Sequence, residues 1–272
     1  MFKTRLLSGI VLVILLFAFI IPGGYVLAGG LLLLSLIAHR ELMKTCKNTS
    51  DGFSKIEILG YIGIIAYYAV MLFTKDRTYL LMTLFAILMA YMFLYVFSFP
   101  KYNAQQIMSS FFSVIYGPVM LTFVYLTREH EYGAYLVWMI FISSWVCDIF
   151  AYCVGMLFGK HKLAPVLSPK KSIEGALGGI AGSVLAGALY AEFFIGRFLP
   201  DINITVAIII ISAVGAIVSQ VGDLAASAIK RNQDIKDYGK LIPGHGGVMD
   251  RFDSVIFTAP MIYLLTLIMI NG

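Results

Sequence analysis

The segment Ser227–Asp253, SAIKRNQDIKDYGKLIPGHGGVMDRFD, concentrates ionisable residues in a chain that is otherwise mostly apolar. Lys230, Arg231, Lys236, Lys240 and Arg251 are interleaved with Asp234, Asp237, Asp250 and Asp253, and the run Gly244-His245-Gly246-Gly247 divides the two halves. Cations of this density neutralise a polyphosphate, and glycines let the backbone approach phosphate oxygens closely. Asp250 and Asp253, three residues apart, share a face if they open a helix. Carboxylates combined with water and substrate phosphates form the usual Mg²⁺ shell, and Asp223 is placed to approach the pair from the preceding helix. Two such ions can clamp the attacking and leaving oxygens of an in-line displacement. The same two aspartates would also suit a helix N-terminus, and the two roles are compatible. His245 is read equally as structural or as a phosphate ligand or acid.

Further ionisable residues lie inside apolar stretches. Asp148 sits in SSWVCDIFAYCVG, and Ser144, Asp148 and Tyr152 recur at helical spacing on one face. A carboxylate within a membrane helix faces a polar cavity or a partner. Gln220, Asp223, Ser227 and Lys230 form a polar stripe on another apolar stretch, either lining a site or making a static helix contact. Between these lies GKHKLAPVLSPKKSIEG, too short and too polar to span. Ser172 can cap the following helix with Glu174 in its first turn, setting free backbone N–H groups beside Lys170 and Lys171. An ordinary anchoring loop is the alternative.

The elements that must hold these residues are membrane helices. Of the 272 residues, 60% are hydrophobic and only 13% charged, against roughly 25% charged in soluble domains. Mean hydropathy is +0.89. Stretches long enough for a bilayer fall at about 6–21, 24–39, 56–74, 79–99, 106–126, 133–158, 173–196, 203–226 and 254–270. The expectation is an all-α polytopic membrane protein of about nine transmembrane helices. Pro22-Gly23-Gly24 makes the first two a tight hairpin. With that count, all of the 20 lysines and arginines except Lys75, Arg77, Arg128 and Arg197 fall on one side. The positive-inside rule makes that side cytoplasmic, with the N-terminus inside and the C-terminus outside. Lys3 and Arg5 before an apolar run also resemble a signal peptide; the second apolar run that follows at once favours an uncleaved span.

The net charge of +5 is explained by orientation and an anionic substrate. No basic stripe with interleaved aromatics suggests nucleic-acid binding. Cys46, Cys147 and Cys153 make no CxxC pair; Cys147 and Cys153 are expected to pack within a helix. Small residues at four-residue spacing, Gly175/Gly179/Ser183/Gly187 and Gly178/Gly182/Ala186, predict close helix packing rather than a nucleotide loop. No P-loop, strand-led GxGxxG, HExxH or nucleophile elbow is present. By polarity, residues 1–140 read as a packing or dimer scaffold, and 141–272 as a catalytic region with cytoplasmic loops 159–175 and 230–253. Arg40 and Glu41 read as a solvated helix end.

Ser227, Lys230, Arg231, Lys236, Asp237, Gly239, Pro243, Gly244, His245, Gly246, Gly247, Asp250, Arg251 and Asp253 together resemble the C-terminal signature of the phosphatidate cytidylyltransferases. Asp148, Tyr152 and Gly155, and the run Ser168–Gly175, resemble that family too. The motifs cover residues 148–254; the first 140 residues resemble it only as a membrane bundle of fitting length. The resemblance implies that CTP and phosphatidic acid give CDP-diacylglycerol and pyrophosphate with Mg²⁺, one or two ions, and allows a monovalent cation. It implies that Asp223, Asp250 and Asp253 hold metal and, with Lys230, act in catalysis. Substrate contacts are expected from Asp148, Lys170, Lys171, Ser227, Arg231, Lys236, Asp237, His245, Gly246, Gly247 and Arg251. A homodimer in a bacterial plasma membrane, its site facing the cytoplasm, is the expected setting. Two rivals stand beside it: a CTP-dependent lipid kinase, attacking the γ-phosphorus, and an organic-anion transporter. The motif of the CDP-alcohol phosphatidyltransferases is absent.

Overall fold

A computed structural model describes residues 2–48, 53–74, 76–196 and 204–270, with the side chains of residues 2–6 left out. Lys75 and Arg197, used above for orientation, lie outside the described residues, as do the side chains of Lys3 and Arg5. The described chain is a succession of helices: α1 Phe2–Ile20, α2 Gly24–Thr45, α3 Lys55–Phe73 and α4 Thr78–Ser98. Then come α5 Ala104–Arg128, α6 Gly133–Phe158, α7 Ile173–Ile195, α8 Ile204–Asn232 and α9 Met249–Met269. All but α1 are long and apolar enough to cross a membrane; the described apolar part of α1 is the shorter Leu7–Ile20. The chain is an all-α polytopic membrane protein. Its apolar surface agrees: α4 exposes Leu81, Met82, Phe85, Met89, Phe93 and Phe97, side chains that hydrocarbon solvates and water does not.

Local chemistry sets the helix limits. Gly23 and Gly24 have φ of 65° and 48°, conformations open to glycine, and they turn α1 sharply into α2. Ser54 caps α3 by accepting the Glu57 N–H, and Asn103 forms a reciprocal capping box with Gln106 at α5. Pro118 lacks an N–H and interrupts the α-helical ladder of α5, which widens to a π-turn over Ile115–Val119. A second π-turn covers Ile142–Val146 in α6. Between α6 and α7, the segment expected as a plain loop forms an antiparallel hairpin, β1 Lys162–Ala164 with β2 Ser168–Ser172.

The chain divides into two compact units, residues 1–125 with 233–251, and 126–232 with 252–272. In the first, Ala38, Leu42, Ile56, Ile64, Tyr68 and Ile107 are buried, and the Ser35 hydroxyl meets the Tyr68 hydroxyl at 2.8 Å. In the second, glycines set the packing distance. A Cβ on Gly178 would strike Val154, one on Gly182 would strike Phe150, and one on Gly179 would strike Cys147 and Ala151. The small-residue rows of α7 therefore do receive α6 closely. Cys147 packs as expected, but Cys153 is exposed.

Candidate active site

Each unit holds a pocket that gathers several of the residues singled out in the sequence. In the second unit, Asp148, Tyr152 and Met156 of α6, Lys170 and Lys171 of β2, Ser172, and Gln220 and Asp223 of α8 surround a cavity of about 320 Å³. The sequence explains the convergence. Ser172 caps α7, its hydroxyl accepting the Gly175 N–H at 3.1 Å, and so sets the two lysines at the first turn. Glu174 accepts the backbone N–H groups of Lys160 and His161 at 3.0 and 3.2 Å and meets His161 Nδ1 at 2.6 Å. These contacts tie the base of the hairpin to α7. Gln220 donates to the Ala176 carbonyl at 3.0 Å, which fixes α8 against α7 one turn before Asp223. The Lys171 ammonium and the Asp223 carboxylate are in direct contact, both side chains one-quarter exposed.

Asp253 of α9 belongs to the same unit and interacts electrostatically with Asp223, Asp148 and Lys230. The Ser254 hydroxyl donates to Asp148 at 3.5 Å. A Cβ on Gly222 would strike the Asp253 backbone and Phe257, so α8 and α9 approach closely beside the carboxylates. Ser227 lies on α8 one turn beyond Asp223. Arg231, near the end of α8, reaches the Leu167 carbonyl in the hairpin at 3.5 Å.

The expected stripe on α6 is only partly realised. Asp148 and Tyr152 line the pocket, but Ser144 is fully buried and hydrogen-bonds back to the Ile140 carbonyl. The π-turn over Ile142–Val146 adds a residue to the local turn and shifts the register between Ser144 and Asp148.

In the first unit the loop after α8 encloses a cavity of about 590 Å³, lined by Lys236, Asp237, Lys240, His245, Gly246 and Arg251 among others. The turn is tight: Ile242 N–H donates to the Gly246 carbonyl at 2.8 Å, and His245 N–H to the Ile242 carbonyl at 2.9 Å. Gly244 and Gly246 have φ of 78° and 86°, which side chains other than glycine adopt at a cost. Buried Asp250, in the first turn of α9, accepts the N–H groups of Tyr238 and Gly247 on one oxygen, at 2.8 and 2.9 Å. A Cβ on Gly246 would come within 2.7 Å of that oxygen. The Ser8 hydroxyl of α1 meets His245 Nδ1 at 2.6 Å and donates to the Pro243 carbonyl at 3.2 Å.

Sequence reasoning passed over Glu41. It is not a solvated helix end but is buried, with 7% exposure. Its two carboxylate oxygens accept the N–H groups of Val248 and Met249 at 3.0 and 2.9 Å. Its partners lie more than 200 residues away in the chain, and a carboxylate in HREL carries no local mark of that contact. Arg40 instead pairs with Glu57 at 3.3 Å and lies 4.3 Å over the Phe53 ring.

For a metal, the donor chemistry is that of a hard cation. Asp148, Asp223 and Asp253 supply carboxylate oxygens in one unit, within electrostatic reach of each other. Among the described residues no three His, Cys, Asp or Glu side chains form a ready-made metal cage. Mg²⁺ does not need one, since it is usually bound by one or two carboxylates with water and substrate phosphates. Asp223 and Asp253 fit that requirement.

A model of the cytidylyltransferase family matches residues 3–269. A phosphatidate cytidylyltransferase of Staphylococcus haemolyticus is 30% identical over 271 residues, covering 97% of this chain and 98% of the relative. Proteins of the same name from Staphylococcus epidermidis and Staphylococcus aureus are 32% and 31% identical, each over 97% of this chain and 98% of the relative. Nothing in these matches supports a lipid kinase or a transporter. The chain belongs to the cytidylyltransferase family.

Proposed function

We propose that this protein transfers the cytidylyl group of CTP to phosphatidic acid, giving CDP-diacylglycerol and pyrophosphate. The observation that carries the reading is the gathering of Asp148, Lys170, Lys171 and Asp223 around one pocket on membrane helices, in a chain matched end to end by relatives of that name.

A phosphate oxygen of phosphatidic acid attacks the α-phosphorus of CTP, the bond from that phosphorus to the bridging oxygen breaks, and pyrophosphate departs with the electron pair. A phosphate monoester, with a second pKa of about 6, is a competent nucleophile near neutral pH. No covalent enzyme intermediate or dedicated base is required. Lys170 and Lys171 neutralise the lipid phosphate, and Tyr152 and Met156 flank it on the apolar side of the pocket. Lys236, Arg251 and His245 bind nucleotide phosphates, with Gly246 holding the turn that carries His245. Lys230, Arg231 and Ser227 add polar contacts along α8, and Asp237 orients neighbouring cations. Asp223 and Asp253 would hold Mg²⁺, with Asp250 as a further proposed metal carboxylate; one or two bound ions would supply charge neutralisation at the polyphosphate. The side chains do the rest by positioning and by electrostatic stabilisation of the developing charge.

The setting proposed is a bacterial plasma membrane with the site on the cytoplasmic face, where the cationic loops collect. A homodimer and a monovalent cation beside Mg²⁺ belong to the same proposal and rest on the family resemblance alone.

The test is turnover of purified protein with phosphatidic acid, Mg²⁺ and CTP labelled at the α or the γ phosphate. The α label in lipid and the γ label in pyrophosphate support the proposal. The γ label in lipid makes the protein a lipid kinase, and no label in lipid removes both enzymatic readings.

A further inference from the structure

We infer that Glu41 is a positioning residue for the glycine loop, an internal anion that holds residues 239–249 in the shape that binds nucleotide. The inference rests on the cytidylyltransferase reading for its kinetic consequence, but not for its structural one.

Four observations converge. Glu41 lies in the penultimate turn of α2, yet its carboxylate is buried and takes the N–H groups of Val248 and Met249, one on each oxygen. Those groups are donors at the start of α9, where a helix leaves N–H groups without intrahelical partners and carries partial positive charge. Two glycines of the loop, Gly239 and Gly247, face the carboxylate so closely that a Cβ on either would fall on it. Finally, Asp250, next to Met249, holds both Tyr238 at the start of the same loop and Gly247 near its end by their N–H groups. The loop is thus fixed by two carboxylates, one of them on α2.

The arrangement explains two glycines that need no positive φ. Gly239 and Gly247 are required because they leave room for Glu41. It also assigns the start of α9 to a resident carboxylate. Helix N-termini commonly receive phosphate; here a protein anion has taken that place, so nucleotide phosphates must be met by the cationic side chains of the loop, Lys236, Lys240 and Arg251. Their placement then depends on Glu41, which touches neither substrate nor reacting atoms.

The test compares full-length wild type with E41Q, E41A, G247A and E41A/G247A in detergent, by backbone hydrogen exchange and by steady-state kinetics. In E41A, exchange of peptides within 239–249 should rise by about tenfold or more, as expected when charge-assisted hydrogen bonds are lost, with α3 and α4 unchanged. E41Q keeps one acceptor and should fall between. KM for CTP should rise and kcat fall, while KM for phosphatidic acid stays within about twofold. G247A alone should be severe, and adding it to E41A should cost little, because the colliding group is gone. Wild-type exchange in E41A overturns the inference, as do additive effects of E41A and G247A. A uniform loss of protection with unchanged KM for CTP, or failure of even E41Q to fold, overturns it too, by making Glu41 a general stability residue. If wild type transfers no cytidylyl group, the proposed function falls, while the exchange data still decide the role of Glu41.

Discussion

Asp250 has two assignments that one substitution can separate. Its Oδ2 accepts two N–H groups, from Tyr238 and Gly247, and its charge is proposed to act at the metal. Asp250→Ala removes both hydrogen bonds. Bonds to a charged acceptor contribute about 1.5–3 kcal/mol each, so the loop loses about 3–6 kcal/mol of local restraint, enough to open it. Asp250→Asn can turn its amide so that the carbonyl accepts both N–H groups. Neutral bonds are roughly half as strong as charge-assisted ones, so Asn loses only about 1.5–3 kcal/mol and keeps the loop closed. Its carboxylate charge is gone, however. Loss of one electrostatic contact to a transition state typically costs about 10²–10³ in kcat. The expected outcome for Asp250→Asn is therefore turnover reduced by about 10² or more, a raised Mg²⁺ requirement and exchange in residues 238–247 that rises well below the level of Asp250→Ala. The assay is transfer of α-labelled CTP into extractable lipid, titrated with Mg²⁺. Turnover within about tenfold of wild type, with an unchanged Mg²⁺ dependence, would show that Asp250 only holds the loop.

Lys171→Met keeps the aliphatic stem but removes the charge facing Asp223. The pair is three-quarters buried, so removing the cation should lower stability by more than the roughly 1 kcal/mol of a surface pair, while KM for phosphatidic acid rises, as short-chain lipid titrations would reveal. Glu174→Ala frees the hairpin base from α7 and should weaken phosphatidic acid binding without altering KM for CTP; equal effects on both substrates would contradict the assignment of Lys170 and Lys171 to the lipid. Gly182→Leu drives a side chain into Phe150 and should destabilise the α6–α7 contact by about 1–3 kcal/mol or more, seen as a lower melting temperature in detergent. Chelation with EDTA should abolish turnover reversibly, with Mg²⁺ restoring it and Lys171→Met leaving the restoration intact.

Much of the fold was legible because the bilayer imposes long apolar runs, and caps mark their ends. Ser172 before Ile-Glu-Gly announced the start of α7, and its hydroxyl does cap the helix. The rows of small residues announced the α6 contact because a missing Cβ has one evident use between helices. Proximity was legible where candidate residues cluster in sequence: Lys236, Asp237, His245, Gly246 and Arg251 do line one pocket, since a loop closed by its own glycines keeps sequence neighbours together in space.

What escaped reading depends on geometry that residue spacing does not encode. A helical repeat placed Ser144 beside Asp148, but the π-turn at Ile142–Val146 breaks that repeat, and no proline marks it as Pro118 marks the turn in α5. Glu41 escaped for a different reason. Its partners are backbone N–H groups, which every sequence supplies everywhere, so only the glycines they flank could have hinted at it. Gly247 was read, with Gly244 and Gly246, as freedom for phosphate to approach the backbone, and Gly239 only as part of the family signature. The structure gives them a second meaning, as space for a carboxylate from a distant helix. A glycine loop beside cations is therefore an ambiguous signal: the anion it admits can be the substrate or the protein itself, and here the N–H groups of Val248 and Met249 already hold the protein's own.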